Sequence, residues 1–280
     1  MDLYPDRAFP ANIAHRGARS LAPENTLQAA ELGRLAGAEL WELDVTRAAG
    51  GALVVIHDDT LERTSDAPLV YPDRAPWNVH DFTLDELRRL DFGSWFAERD
   101  PFGQIAAGAV SPALVESYRG ARIPTLHEAL LFTRAQRWQV NVEIKDQAGR
   151  PGADTIAAEV VQLVEQMAMV DRVLISSFNH AYLRQVRDRH PTLATAALVE
   201  TPHPDPLGLL AQLNAQAYNP NLDTLDPAQV ALLRQAGYAV NVWTANRSAD
   251  LERLAALGVT GIFTDFPQRL ARLAAGQSAG

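Results

Sequence analysis

In the run "WELDVT", residues 41–46, Glu42 and Asp44 stand two positions apart. If the run is a strand, its side chains alternate between faces. The two acids then share one face, and Trp41, Leu43 and Val45 share the other. The run "NVEIKD", residues 141–146, repeats the pattern, with Glu143 and Lys145 opposed to Val142 and Ile144. Like charges held together are costly unless a cation joins them or one takes up a proton. Three acids offering only oxygen suit one hard divalent cation, Mg²⁺ or Ca²⁺; the competing reading is a set of solvated charges at strand ends. The chain has no cysteine, so disulfides and thiolate ligands are excluded and a metal must be held by oxygen or nitrogen.

His15 and His57 each close an apolar run. An imidazole exchanges protons near neutral pH, so one ring can serve as base and the other as acid. A hairpin turning at residues 49–50 would set His57 opposite Glu42. The other five histidines, at 80, 127, 180, 190 and 203, fall in loops or helices and are expected at the surface. Arg16 offers a planar fork and Lys145 a compact charge, which with a metal make a cradle for a phosphoryl group; salt bridges to the acids are the plainer alternative. Phe178 and Trp243 end two later runs and either wall a pocket or cap the core. Asn25, in "PENT", is a candidate helix N-cap. Neither a phosphate-binding glycine loop, a dinucleotide fingerprint nor a G-x-S-x-G elbow is present, which argues against Walker-type phosphoryl transfer and serine hydrolysis.

Strand-like runs at 12–14, 40–45, 53–57, 140–145, 173–178, 195–199, 217–219, 240–244 and 261–264 must position these residues. Helical patterns intervene at 25–35, 126–135, 153–167, 181–189, 227–236 and 249–257. Alternating strand and helix reads as a parallel sheet with helical crossovers. Polar residues recur at the carboxyl ends of the strands, where barrel enzymes build their sites, which favours a TIM-like (β/α)8 barrel over an open sheet. Nine runs are one too many, and the link from Val45 to Leu53 is too short for a crossover. "TRAAGGA" reads instead as a hairpin turn, so the barrel is expected to be distorted. Residues 58–122 break the alternation, with one short helix expected at 84–90. They read as an insertion capping the carboxyl-end face of a single domain spanning 1–280.

The chain has 280 residues, 47% hydrophobic and 21% charged, with a net charge of −9. No cluster of Lys or Arg offsets that charge, which argues against nucleic acid or an anionic membrane as partner. No window reaches the ~18 apolar residues of a membrane span, and "MDLYPDRAFP" lacks the pattern of a signal peptide. The expectation is a cytoplasmic enzyme, monomeric or homodimeric, acting on a small molecule and not inserting stably into a membrane.

Taken in order, "HRG" at 15–17, "PENT" at 23–26, "ELD" at 42–44, "HD" at 57–58 and "EIK" at 143–145 resemble the glycerophosphodiester phosphodiesterase family. "SSF" at 176–178, "VWTAN" at 242–246 and "GIFTDFP" at 261–267 extend the resemblance, as do "DFGSWF" at 91–96 and "IPTLHEAL" at 123–130, so it runs from about residue 12 to 270. It implies a distorted TIM barrel and a divalent-metal hydrolase. Such an enzyme releases sn-glycerol 3-phosphate and an alcohol from substrates such as glycerophosphocholine or glycerophosphoethanolamine. By position, Glu42, Asp44 and Glu143 would ligate the metal, His15 and His57 would be the acid–base pair, and Arg16 and Lys145 would bind phosphate. Phe178 and Trp243 would line the pocket for the glycerol or alcohol. "TRAAGGAL" stands where the family often has an acidic-Gly turn, away from the chemistry. The attacking group is either water or the substrate's own glycerol 2-hydroxyl. Two rivals remain: a lysophospholipase D using Phe82, Trp95, Phe96 and Phe102 as an apolar mouth, and a non-catalytic binding protein on a barrel scaffold.

Overall fold

The computed structural model describes residues 9–277; of "MDLYPDRAFP", the run that lacks a signal-peptide pattern, residues 1–8 lie outside the described residues. Nine strands form: β1 (Ala11–Ala14), β2 (Leu40–Arg47), β3 (Leu53–Val55), β4 (Gln139–Ile144), β5 (Val173–Ser177), β6 (Ala194–Val199), β7 (Ala217–Pro220), β8 (Ala239–Val242) and β9 (Gly261–Thr264). Eight are parallel in the order β1-β9-β8-β7-β6-β5-β4-β2, and a β1–β2 pairing closes the ring. This is the expected TIM-like barrel, and β3 is the surplus strand. It pairs antiparallel with the far end of β2, Val45 facing Val55 and Arg47 facing Leu53.

The hairpin corrects one expectation. Ala48 and Ala52 close a three-residue loop, with Ala48 donating its N–H to the Ala52 carbonyl at 2.9 Å. The turn is therefore centred on Gly50, with both Gly50 and Gly51 at positive φ. That register carries His57 to the level of Leu43, one place from Glu42, because the odd residue shifts every pair across the ladder.

Alternation along β2 divides outside from inside. Trp41 faces outward, stacked on Trp138 at 6.4 Å and 4° and donating its indole N–H to Thr133 at 2.9 Å. Thr133 lies on the helix Leu126–Ala135, at the predicted bounds. Inside, Asn141 and Glu143 pair with Glu42 and Asp44 along β2, and Glu143 pairs with Ser176 of β5. The inner face thus carries polar groups toward the carboxyl ends, while Leu174 and the alanines at 194, 196, 217 and 239 form a small buried apolar cluster. Two barrel helices beyond the predicted set, Pro206–Leu213 and Pro267–Gln277, complete the outer layer.

The insertion holds more regular structure than its sequence suggested. Besides the expected helix, which runs only Leu84–Leu87, it forms short helices at Ala67–Val70, Ser94–Arg99 and Pro112–Ser117. Two apolar clusters stabilise it. One joins Phe82, Leu87, Leu90 and Phe92 to Val54 and Ile56 of the hairpin. The other packs Trp95, Phe96 and Tyr118 on Ala22 and Ala29 of the barrel.

Candidate active site

Glu42 and Asp44 lie 2% and 1% exposed in the barrel mouth. An oxygen from each, together with one from Glu143, falls within a 4.8 Å cluster. Burial and the neighbouring acids Asp44 and Glu143 push the Glu42 carboxyl well above its usual range, against Arg16. Glu143 shifts the same way, through burial and Asp44, with Lys145 opposing. Burial would raise Asp44 as well, but Arg16 and Lys145 outweigh it and hold that carboxyl low. One buried oxygen, Glu42 Oε1, has no hydrogen-bond partner among the described residues. An orphaned carboxylate oxygen beside two more acids is a donor set that fits a hard divalent cation. Lys145 Nζ lies 2.9 Å from Glu143 Oε1 and 3.5 Å from Asp44 Oδ1.

The chain leaving β1 wraps this cluster. Arg16 is in the left-handed region at φ 55°, an uncommon backbone for a non-glycine residue. The turn aims its amide at Glu42 Oε2, 2.8 Å away. Its guanidinium donates to Glu24 at 2.8 Å and has its Nε 3.3 Å from Asp44 Oδ2. Gly17 follows at φ 80°, where an added Cβ would stand 2.5 Å from the Ala29 carbonyl carbon.

Asn25 does not cap the helix that follows. Thr26 does, its hydroxyl accepting from the Ala29 N–H at 3.1 Å, and the helix begins at Leu27. Asn25, at φ 58°, turns inward instead. Its amide donates to Asp44 Oδ2 at 2.8 Å, and its carbonyl accepts the Asp44 N–H at 3.3 Å.

Both histidines are braced by carboxylates. His15 Nδ1 is 2.7 Å from Asp265 Oδ1 at the end of β9, and Asn246 donates to the other Asp265 oxygen at 2.7 Å. Burial and Arg16 lower the His15 pKa from its ordinary value, with Asp265 opposing. His57 Nδ1 is 2.6 Å from Asp58 Oδ1, and Arg63 donates to Asp58 Oδ2 at 2.5 Å. A proton on His57 would favour the ionised forms of both Asp44 and Glu143, adding to the lowering of Asp44 and opposing the rise of Glu143.

Phe178 and Trp243 meet edge to face at 5.6 Å and 89°, bringing the ends of β5 and β8 together on the same barrel face. Phe178 is 42% exposed, while the Trp243 indole donates to the Asn219 carbonyl at 2.9 Å. Of the remaining histidines, His127 is exposed and those at 80, 180, 190 and 203 are half-buried. Of the four residues offered as an apolar mouth, Phe82 and Phe96 are 0% and Trp95 8% exposed, while Phe102 is half-buried and packs on Phe266 at 5.5 Å.

Glu24, Asp58, Arg63, Arg19 and Asp265 join the site without having been singled out from sequence. "PENT", "HD" and "GIFTDFP" contained three of them, but their partners lie up to 250 residues away. Local spacing carries no sign of such pairs.

The glycerophosphoryl diester phosphodiesterase family matches residues 15–269. A glycerophosphodiester phosphodiesterase of Caldanaerobacter subterraneus is 33% identical over 261 residues, covering 93% of this chain and 96% of that one. Another from Bacillus subtilis is 30% identical, over 95% of this chain and 86% of its own length. Among solved structures, an Oleispira antarctica phosphodiesterase in complex with the product sn-glycerol-3-phosphate superposes with a TM-score of 0.81. It is 28% identical and the match covers 96% of this chain and 97% of that one. No helix among the described residues is long and apolar enough to cross a membrane.

Proposed function

Because the chain belongs to the glycerophosphoryl diester phosphodiesterase family, we propose that it hydrolyses small glycerophosphodiesters by divalent-cation-assisted, two-histidine catalysis. Its activity class is glycerophosphodiester phosphodiesterase; the products would be sn-glycerol 3-phosphate and an alcohol such as choline or ethanolamine. The observation that carries the reading is the convergence of Glu42, Asp44 and Glu143 within 4.8 Å, flanked by two imidazoles each held by an aspartate. The product bound to the Oleispira protein supports the choice of substrate.

Glu42, Asp44 and Glu143 would hold one Mg²⁺ or Ca²⁺, which when bound supplies positive charge toward the phosphoryl oxygens. Arg16 and Lys145 add fixed cations on the same side, offsetting the phosphodiester charge that repels a nucleophile. An ionised aspartate only accepts hydrogen bonds, so Nδ1 of each ring carries the proton and Nε2 is presented to the reactants. His15, whose pKa burial and Arg16 lower, would take the proton of the attacking hydroxyl on Nε2. His57, entering the step with a proton on Nε2 as well as on Nδ1, would give the Nε2 proton to the departing alkoxide. Phe178 and Trp243 would wall the carbon side of the pocket. The insertion, 58–122, would cap the strand ends within one barrel domain.

The test is release of glycerol 3-phosphate in a coupled assay across several glycerophosphodiesters and a lysophospholipid, with Mg²⁺, Ca²⁺ or EDTA. Turnover of the water-soluble diesters that EDTA abolishes is expected. Full turnover in EDTA would remove the metal from the reading, and preference for the lysophospholipid would move the substrate class.

A further inference from the structure

Two lines of contacts lead away from the histidines and meet at one carboxylate. From His57 the line runs through Asp58 to Arg63, whose Nη1 and Nη2 reach the two oxygens of Glu24 at 2.9 and 2.7 Å. From His15 it runs through Asp265 to Arg19, which stands 3.6 Å from Asp265 and 3.0 Å from Glu24. Arg16 brings a third guanidinium to the same group at 2.8 Å. Glu24 is 6% exposed and lies in the loop before the first helix, off every strand.

A pair kept only for stability is a poor explanation of this arrangement. Stability alone would be served by one cation on Glu24, yet three converge on it, and the half-buried Arg63, 35% exposed, reaches it from the insertion. A two-pronged arginine–carboxylate contact does fix orientation, because the planar fork admits one approach. Arg63 belongs to the insertion, while Arg16 and Arg19 belong to the β1 loop. Glu24 therefore registers the insertion's contacts to His57, through Asp58 and Arg63, against the β1 loop that carries His15.

We propose that Glu24 is a positioning residue for the hydrolysis, setting both imidazoles relative to the phosphate-binding Arg16 through Arg63 and Arg19. The proposal rests on the acid–base reading of His15 and His57. Glu24 touches no reactant; it acts by holding the groups that hold the rings.

The experiment is steady-state kinetics of the full chain on glycerophosphocholine, with Mg²⁺ or Ca²⁺, for Arg63→Met, Arg63→Lys, Glu24→Gln and the Glu24→Gln/Arg63→Met double variant. Misplaced catalytic groups cost rate, not affinity, so Arg63→Met is expected to lower kcat by about tenfold or more with KM within roughly twofold. Arg63→Lys keeps the charge without the fork and is expected to stay low. The double variant is expected to be no slower than Glu24→Gln, because both changes break one path. Should Glu24→Gln fail to fold, the Arg63 variants alone decide. An unchanged kcat in Arg63→Met, a rise in KM with kcat intact, or full rescue by Arg63→Lys would overturn the proposal. His57→Ala separates the two levels: near-normal turnover there removes the acid–base reading and this proposal with it. An inactive His57→Ala beside a fully active Arg63→Met removes the positioning role alone.

Discussion

Asp265 and Asp58 make the same contact with different rings, each placing a carboxylate oxygen against an imidazole Nδ1, at 2.7 and 2.6 Å. In Asp265→Asn the Coulombic support for protonated His15 is lost while burial and Arg16 remain, so the ring's proton affinity falls further. The acidic limb of kcat/KM should then move to lower pH, and kcat should fall by about tenfold or more as the tautomer is no longer fixed. A pH–rate profile with an unmoved acidic limb would contradict that assignment. His15→Ala and His57→Ala should each lose on the order of 10²-fold in kcat or more with unaltered circular dichroism. At this scale the sequence was informative wherever periodicity applied: Glu42, Asp44, Glu143 and Lys145 were all legible from strand alternation. It misplaced Asn25, read as the helix N-cap, because a left-handed turn at φ 58° sends that side chain to Asp44 while the adjacent Thr26 performs the capping.

At the scale of elements, the β1 loop depends on how closely it meets the first helix. Gly17 has φ 80°, and a Cβ there would meet the Ala29 backbone at 2.5 Å. Gly17→Ala therefore combines an unfavourable backbone with a collision that no side chain can relieve by moving. A loss of at least about 1 kcal/mol is expected, together with reduced turnover, since the same turn aims the Arg16 amide at Glu42. Urea denaturation with a midpoint equal to wild type would refute it. The hairpin was also legible in kind, from two glycines in a link too short for a helix. Its register was not. A turn centred between Ala49 and Gly50 and one centred on Gly50 itself differ by half a residue, and sequence alone does not separate a two-residue from a three-residue loop. The insertion's short helices escaped notice for a related reason: helices of four to six residues leave no run long enough to show a period.

For the molecule as a whole, function and stability pull apart at the acid cluster. Glu42 and Glu143 have raised folded-state pKa values. Ionising them costs the fold, so this destabilisation is absent at low pH and grows as pH rises from the ordinary carboxylate range through the raised values. Against burial, Glu24 is shifted downward by Arg16, Arg63 and Arg19, and Asp58 by His57 and Arg63. Their contribution is present above the ordinary range and lost as pH falls through the lowered values. Glu42→Gln should accordingly raise the thermal midpoint of the metal-stripped protein near neutral pH while removing activity. Mg²⁺ or Ca²⁺ should raise the midpoint of the wild type but not of that variant. Scanning calorimetry in EDTA and in excess metal checks both, and a Glu42→Gln protein that melts lower than wild type in EDTA would contradict the account. The barrel itself was readable from alternating strand and helix, since each β/α unit is a local pattern repeated. Which residues close the ring, β1 on β2 and β9, is a long-range fact that the pattern implies only through the count of strands.

Six carboxylates, Glu24, Glu42, Asp44, Asp58, Glu143 and Asp265, face four cations, Arg16, Arg19, Arg63 and Lys145, around the barrel mouth. Among those ten groups, that leaves two negative charges to be balanced when all six acids are ionised, the complement of one divalent ion. An anionic ligand and the metal then become mutual effectors. Each should strengthen the other's binding by the same factor, as thermodynamic reciprocity demands. Calorimetric titration of glycerol 3-phosphate at several fixed Mg²⁺ or Ca²⁺ concentrations should show its affinity climbing with the metal, and the reverse titration should return the same coupling. Metal supply would thereby govern not only turnover but also how firmly the enzyme retains its product.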